Sequence, residues 1–201
     1  FSDGVDDGES YRNYEDYHIK TLETKRLESF TPGEGNKYSN HGMGLVGHII
    51  HVVTGIEYRD YVKSRILRPL GIEDQVIPVK SEWNSMDAEV HTFENGKLKK
   101  KSYGIINNGL AAGGWTAAAT HLVRIMLACD QLNNRRDIFD NAHNNLLDLM
   151  ETEWFHSGHS VGWDISRNSS GTYIAKAGEG RCIATIARYL PGYQQGNVNI
   201  G

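Results

Sequence analysis

The sequence lacks a long hydrophobic run, has few cysteines and carries no block of like charges at either end. No stretch reaches the roughly 18 consecutive apolar residues that a membrane-spanning helix needs. The 21 basic and 25 acidic residues are spread along the chain, for a formal net charge of −4. Its two cysteines, Cys129 and Cys182, have neither C-x-x-C nor zinc-ligand spacing. We therefore expect a globular chain with buried free thiols, no cofactor and no nucleic-acid partner.

The chain also lacks an initiator methionine, because it opens with Phe1-Ser2-Asp3-Gly4. Such a start, without a recognisable signal segment, is typical of the interior of a longer product. We expect an N-terminal segment of the same protein to be missing from these 201 residues. That length still suffices for one sizeable hydrophobic core.

The first half of the sequence indicates helices and loops. Residues 1–37 are polar and contain at most one helix, near residues 14–28. A buried helix is predicted from Gly42 to Thr54, with Gly55 as its C-terminal stop. Its inward positions recur at helical spacing: Leu45, Ile49, and Val52 or Val53.

A second helix is predicted from Glu57 to Leu67, ended by Pro69-Leu70-Gly71. Its inward positions are Tyr58, Tyr61, Val62 and Ile66. Residues 72–110 favour loops and a hairpin that turns at Asn95-Gly96. The lysines that follow this turn favour a solvated tip over a binding patch: Lys97, Lys99, Lys100 and Lys101.

In the second half of the sequence, the spacing of apolar residues changes from helical to alternating. Thr116 is a plausible N-cap for a helix over residues 117–130, and another helix fits residues 141–151. One face of the first of these carries Leu122, Ile125, Met126 and Cys129. The runs "SVGWDIS", "TYIAKA" and "CIATIARYLPG" resemble strands separated by "RNSSG" and "GEG". Helices followed by an antiparallel meander predict an α+β fold in which helices cover a sheet.

Three short stretches could carry chemistry: Tyr38-Ser39-Asn40, Gly113-Gly114-Trp115 and Lys176-Ala177-Gly178. Each alone has an ordinary structural explanation. Tyr38 could pack against the following helix, and Asn40 could cap it. The two glycines could form a tight turn, and Lys176 could be an exposed lysine on an edge strand.

In their order and context, these stretches resemble the serine β-lactamase and penicillin-binding-protein superfamily, in particular class C β-lactamases, D-alanyl-D-alanine carboxypeptidases and family VIII esterases. "TPGEGNKYSNHGMGLVGHIIHVVTGIEYRDYVKSRILRPLGIED" resembles the family's Tyr-x-Asn segment, helix and Pro-Leu-Gly turn. "AAGGWTAAATHLVRIM" resembles its glycine-rich turn and helix, and "IAKAGEGRCIATIARYLPGYQQGNVNI" its Lys/His-Thr-Gly strand with two returning strands.

The resemblance covers nearly the whole chain and implies one domain over residues 1–201. Residues 1–110 would form its helical, loop-rich part, and residues 111–201 a helix and the C-terminal antiparallel strands. The implied fold is α+β: an antiparallel β-sheet flanked by helices, with a helical subdomain, truncated at both ends. It favours an extracytoplasmic or periplasmic location.

The resemblance also implies a mechanism. Members of the superfamily attack an ester or amide carbonyl with the serine of an S-x-x-K helix turn. Tyr38 would move protons to and from this nucleophile, and Lys176 would be a neighbouring cation that favours the phenolate. Asn40 would bind the acyl-side carbonyl of the substrate. Ala177 and Gly178 would let the substrate lie along the strand, and the amide of Glu179 would be one oxyanion donor.

The chain departs from the family pattern in three ways. Lys-Ala-Gly replaces Lys-Thr-Gly, which favours a neutral ester over a substrate carboxylate. His121 stands where relatives often have an acid and is interpreted as a surface substitution. No serine in the chain is followed three residues later by lysine. The implied function is thus a serine hydrolase of a small ester, amide or peptide whose nucleophile lies outside this sequence, so that the fragment alone is inactive.

Two alternatives remain. A non-catalytic homologue could use the same fold as a binding or structural module. Ser39 could be the nucleophile of another hydrolase, but it lacks the G-x-S-x-G elbow. A metal site on His41, His48 and His51 is disfavoured, because no carboxylate has the complementary H-E-x-x-H spacing.

Overall fold

The computed structural model describes residues 38–78, 88–101, 110–129, 158–169, 171–180 and 183–189, with a few single positions before residue 38. The predicted helix over residues 141–151 and Cys182 lie outside the described residues. Within the predicted helix near residues 14–28, the described positions are helical: Asp16, Ile19, Lys20 and Glu23.

Helix α1 spans Asn40–Thr54 and has a well-defined cap at each end. Ser39 is its N-cap, since its Oγ accepts a hydrogen bond from the Gly42 amide at 2.9 Å. At the other end Gly55 takes a left-handed conformation, with φ of 68°, and donates its amide to the His51 carbonyl. The predicted stop at Gly55 is confirmed, because a residue without Cβ adopts this conformation without strain.

Of the predicted inward positions of α1, Leu45 is half-buried, but the prediction is wrong for the others. Ile49, Val52 and Val53 are 51%, 66% and 78% exposed. The buried positions of this helix are instead His41, Gly44 and Gly47. Small residues on the covered side allow neighbouring atoms to approach the helix backbone closely, so the aliphatic side chains lie on the other side.

Helix α2 spans Tyr58–Val62 and continues as a π-helix over Lys63–Leu67, so the predicted helical span is confirmed with a wider last turn. The predicted inward residues are half-buried: Tyr58, Tyr61, Val62 and Ile66. The chain then turns through Pro69-Leu70-Gly71, as predicted, and Gly71 has a φ of 66°. Leu67, Ile72 and Val76 form the buried core beside this turn.

Two short strands connect this core to the second half of the chain. Strand β1 (Ile77–Pro78) pairs antiparallel with β4 (Trp115–Thr116), and Trp115, Ala117 and Ile125 pack on the core. Thr116 is therefore a strand residue, and the prediction that it caps a helix is wrong. Helix α3 spans Ala119–Leu127 with Ala118 as its N-cap. Its predicted apolar face is confirmed: Leu122, Ile125 and Met126 are half-buried and Cys129, a free thiol, is buried.

The predicted hairpin is present, with β2 over Val90–Glu94 and β3 over Lys97–Lys101. Asn95 and Gly96 have φ values of 52° and 76°, as a two-residue turn between right-twisted strands requires. Lys100 forms a hydrogen bond of 2.5 Å to Glu89, which lowers the pKa of that carboxyl. Lys97 is exposed at the turn.

The C-terminal meander forms a three-stranded antiparallel sheet in the order β5-β6-β7. Its strands span Asp164–Asn168, Gly171–Gly180 and Ile183–Tyr189. The predicted meander is confirmed, but the expected break between strands at residues 178–180 is wrong, because these residues continue β6 and pair with β7. Ile165 and Ile174, a cross-strand pair, are both buried.

The described residues thus combine helices with small antiparallel sheets, in agreement with the predicted α+β class. Helix α3 contacts β7, and α1 contacts α2. Among the helices of the described residues, none is both long enough and apolar enough to span a bilayer.

Candidate active site

Tyr38 and Asn40 meet at the start of α1. The Tyr38 hydroxyl donates a hydrogen bond of 2.6 Å to Asn40 Oδ1, although the tyrosine is 74% exposed. The extended backbone of the N-cap Ser39 lies between the two residues, whose side chains approach each other across it. The chain therefore places an exposed phenol against a half-buried amide side chain at the N-terminus of a capped helix.

Ser39 uses its hydroxyl to cap the helix. Its Oγ accepts from Gly42, and its carbonyl accepts from the Met43 amide at 3.2 Å. The side chain is half-buried. This local role explains why a serine stands between Tyr38 and Asn40 without assigning it a part in catalysis.

The glycine-rich turn packs against the same helix. Trp115 Nε1 donates to the Leu110 carbonyl at 2.8 Å and closes the turn, in which Gly114 has a φ of 78°. A Cβ atom added to Gly47 of α1 would lie 2.7 Å from the Ala111 Cβ. The second candidate stretch therefore adjoins the helix that begins at the first.

The third candidate stretch lies where β6 leaves the core. Ile174 and Ala175 are buried, whereas Lys176, Ala177 and Gly178 are exposed. Pairing with β5 ends at the Asp164–Ala175 pair, while pairing with β7 continues through Gly180 and includes the Glu179–Ala184 pair. Residues 176–178 of β6 are therefore accessible to solvent.

The described structure brings together some of the predicted site residues. Tyr38 and Asn40 are in direct contact. Ala177, Gly178 and Glu179 are successive residues of one strand. In the part of the chain that the structure describes, no hydrogen bond or ion pair joins Lys176 to Tyr38. The effect of Lys176 on the phenol stays a prediction.

The three histidines of α1 are not arranged as a metal site. The His48 and His51 ring centroids are 6.3 Å apart, and His51 Nδ1 lies 3.4 Å from Glu57 Oε1. His41 is buried on the same side of the helix. Among the described residues, no group of three or more His, Cys, Asp or Glu side chains could hold a metal ion.

Two histidine roles were not anticipated from the sequence. His121 Nδ1 accepts a hydrogen bond of 3.3 Å from the Ala118 amide, so its side chain caps α3 from the N3 position. His159 Nδ1 lies 2.9 Å from Asp164 Oδ1 across an isolated antiparallel bridge. The N3 spacing of His121 was a usable signal, whereas the His159–Asp164 pair depends on a hairpin that the sequence did not locate.

Comparison with known proteins gives one family and several solved structures. A family model described as Beta-lactamase matches residues 2–194. No curated protein sequence matches the chain significantly. The D-stereospecific amidohydrolase of a Streptomyces species is 19% identical to this chain, with a TM-score of 0.66. The match covers 82% of this chain and 49% of the amidohydrolase chain.

Two further solved structures have similar folds. The β-lactamase/D-alanine carboxypeptidase of Pseudomonas syringae is 13% identical to this chain, with a TM-score of 0.66. The match covers 93% of this chain and 58% of the carboxypeptidase chain. The D-amino acid amidase of Ochrobactrum anthropi SV3, complexed with D-phenylalanine, is 18% identical to this chain, with a TM-score of 0.54. The match covers 89% of this chain and 57% of the amidase chain. At these identities the likeness shows the fold alone, and this chain spans about half the length of each relative.

Proposed function

Because this chain belongs to the beta-lactamase family, we propose that it is part of a serine hydrolase that forms and hydrolyses an acyl-enzyme. The nucleophilic serine and its lysine lie outside these residues in this proposal. The chain forms part of one domain, in which residues 1–110 supply helices and loops and residues 111–201 supply a helix and strands. Helices flank the antiparallel sheet, and a helical subdomain adjoins it.

The contact between Tyr38 and Asn40 carries the proposal. Acyl transfer needs a group that accepts the serine proton during attack and returns a proton to the leaving group. An exposed phenol held 2.6 Å from an amide oxygen has a defined position and remains accessible to a substrate. In this mechanism Tyr38 relays the proton and Asn40 orients the acyl-side carbonyl.

The exposed end of β6 supplies the other half of the proposed site. A substrate lies along Ala177 and Gly178, where a methyl group and a residue without a side chain leave room beside the strand. The Glu179 amide donates to the oxyanion of the tetrahedral intermediate, and Lys176 provides positive charge near the phenol. The negative charge that develops on the oxyanion in the transition state would then be stabilised by hydrogen-bond donors that are already in position.

The proposed substrate is a small amide or ester of a D-amino acid. Ala177 stands where many family members carry a hydroxyl that meets a substrate carboxylate, which favours a neutral carbonyl derivative over a free acid. Two of the structural relatives are described as a D-stereospecific amidohydrolase and a D-amino acid amidase. Serine attack expels the amine or alcohol, and water then releases the acid from the acyl-enzyme.

A non-catalytic homologue is the second candidate. The 201 residues contain no serine followed three positions later by lysine, so they do not hold the family's nucleophile. In that case the fold would serve as a binding or structural module. The two candidates differ in whether the complete gene product contains a serine that reacts.

The test measures the intact mass of the complete gene product before and after treatment with a fluorophosphonate, which labels activated serines. One stoichiometric adduct, together with faster hydrolysis of D-phenylalanine amide than of L-phenylalanine amide, is the expected result. An adduct without preference for the D-isomer would reject the proposed substrate class. Absence of any adduct would reject the hydrolase and favour the non-catalytic homologue. The isolated 201-residue chain is expected to give no adduct in either case.

A further inference from the structure

Helix α1 presents an apolar side to solvent. Five of its large apolar side chains are between 44% and 78% exposed, and we call them the outer face: Met43, Val46, Ile49, Val52 and Val53. Val46, Ile49 and Val53 follow the i, i+3, i+7 spacing of a single helical stripe. The buried residues of the helix, His41, Gly44 and Gly47, project from the opposite side.

The composition of α1 is that of an interior helix. Its 15 residues include no Asp, Glu, Lys or Arg. A helix that is covered on one side and apolar on the other is typical of a position between two layers of a protein. Contiguous exposed apolar patches on soluble proteins commonly mark surfaces that contact something else.

We infer that the outer face of α1 docks the part of the family domain that lies outside this chain. The family model spans residues 2–194, so almost the whole chain belongs to that domain. The chain covers only 49% of the Streptomyces amidohydrolase and 57% of the Ochrobactrum amidase. Such a domain therefore contains nearly as much polypeptide again, enough to supply the layer that covers the outer face.

A lipid surface fits this helix less well than polypeptide does. Helices that lie on membranes carry Lys and Arg on their polar side, where these residues meet anionic headgroups. The side of α1 opposite the outer face has glycine and histidine instead and is already covered by Ala111 and Tyr58, which approach Gly47. Helix α1 contains no Lys or Arg that could face the headgroups.

A second copy of this chain also fits less well. At a rise of about 1.5 Å per residue and a width of about 10 Å, one side of α1 projects an area of only about 220 Å². A stable dimer needs about 800 Å² from each partner. A segment of the same domain can dock stably on a smaller area, because the rest of the fold holds it in place.

Cysteine labelling tests the docking surface. Ile49→Cys places a thiol in the middle of the outer face, and Lys97→Cys places a matched control at the exposed hairpin turn. Both variants are prepared in the complete gene product and in the 201-residue chain, and a maleimide is added under native conditions. Mass spectrometry of the tryptic peptides reads each site separately, so Cys129 and Cys182 can be kept.

In the 201-residue chain, both introduced thiols are expected to react at similar rates. In the complete gene product, labelling at position 49 should slow by at least about tenfold, while labelling at position 97 is unchanged. Equal rates at the two positions in the complete gene product would overturn the inference. So would protection in the 201-residue chain that grows with protein concentration, because the occupant would then be a second copy.

A charge substitution gives an independent measurement. Ile49→Arg should lower the Tm of the complete gene product by several degrees, because it buries a charge in the docked surface. The Tm of the 201-residue chain should stay the same, since the side chain is exposed there. An unchanged Tm in both proteins would overturn the inference. These readouts measure burial, so they hold whether or not the proposed hydrolysis is observed.

Discussion

Gly47 of α1 lies so close to Ala111 that a Cβ atom added to the glycine would be 2.7 Å from the Ala111 Cβ. Real Cβ atoms do not approach this closely, and the Ala111 Cβ is attached directly to backbone. The absence of a side chain at Gly47 therefore sets the spacing between α1 and the glycine-rich turn. The same added atom would be 3.5 Å from the Tyr58 ring, which is ordinary van der Waals contact.

Gly47→Ala should destabilise the chain. Higher helix propensity would contribute about 0.5–1 kcal/mol in favour of the variant, but overpacking costs about 1–3 kcal/mol. We expect a net loss of about 1 kcal/mol in the free energy of unfolding, measured by urea denaturation. Ala111→Gly should partly rescue it, because it removes the clashing atom. Additive effects of the two substitutions would contradict the close contact.

His121→Glu should stabilise α3. A carboxylate at N3 can accept the hydrogen bond that His121 Nδ1 accepts from Ala118, and it also interacts favourably with the positive end of the helix dipole. The expected gain is about 0.3–1 kcal/mol, seen as a higher Tm. His121→Gln, which can accept the same bond without charge, is the control and should gain less. A lower Tm for the glutamate variant would argue against the capping role.

Stability should fall at alkaline pH partly because of Tyr58. Burial raises the pKa of its phenol above the ordinary value of 10.0, since the charged form loses hydration. The folded state then holds its proton more tightly than the unfolded state, so the stabilising contribution is full below pH 10.0 and is lost as pH rises toward the higher folded pKa.

The measurement for Tyr58 is urea denaturation at a series of pH values on both sides of its ordinary pKa. Tyr58→Phe should reduce the alkaline loss of stability relative to the unsubstituted chain. The sequence contains 10 tyrosines, so the difference between the two proteins is the informative quantity. Identical pH profiles would show that the Tyr58 hydroxyl is as hydrated in the folded state as in the unfolded state.

Tyr38→Phe should reduce the activity of the complete gene product by at least about 10²-fold if Tyr38 relays the proton. The tyrosine is 74% exposed, so loss of its hydroxyl should change the Tm little. Tyr61→Phe in α2 is the matched control and should leave activity unchanged. Full turnover in the Tyr38 variant would remove this residue from the mechanism.

Local features of the fold followed from the sequence because they depend on neighbouring residues. Asn95-Gly96 supports positive φ at two successive positions, so the hairpin turn could be predicted. Gly55 could be identified as the stop of α1 for the same reason. The contact between Tyr38 and Asn40 is also local, since the two residues are separated by a single extended residue.

Two predictions of secondary structure failed because strand pairing decided the outcome. Thr116 has a side chain suited to capping, but pairing with Ile77 places it in a strand. Gly178 and Gly180 were expected to lie between two strands, but pairing with Thr185 and Ile183 keeps them in β6. Hydrogen bonds to a paired strand outweigh the weak local preference of one or two residues.

The sequence by itself determined the periodicity of the elements, their caps and turns, and the types of residue offered to the site. Only the tertiary structure decided which side of α1 is covered. Periodicity shows that a stripe is apolar, but close packing of Ala111 and Tyr58 against Gly47 requires the small residues to face inward. The aliphatic stripe is left outward for this steric reason, and so the exposed side of α1 could not be predicted from its hydrophobicity alone.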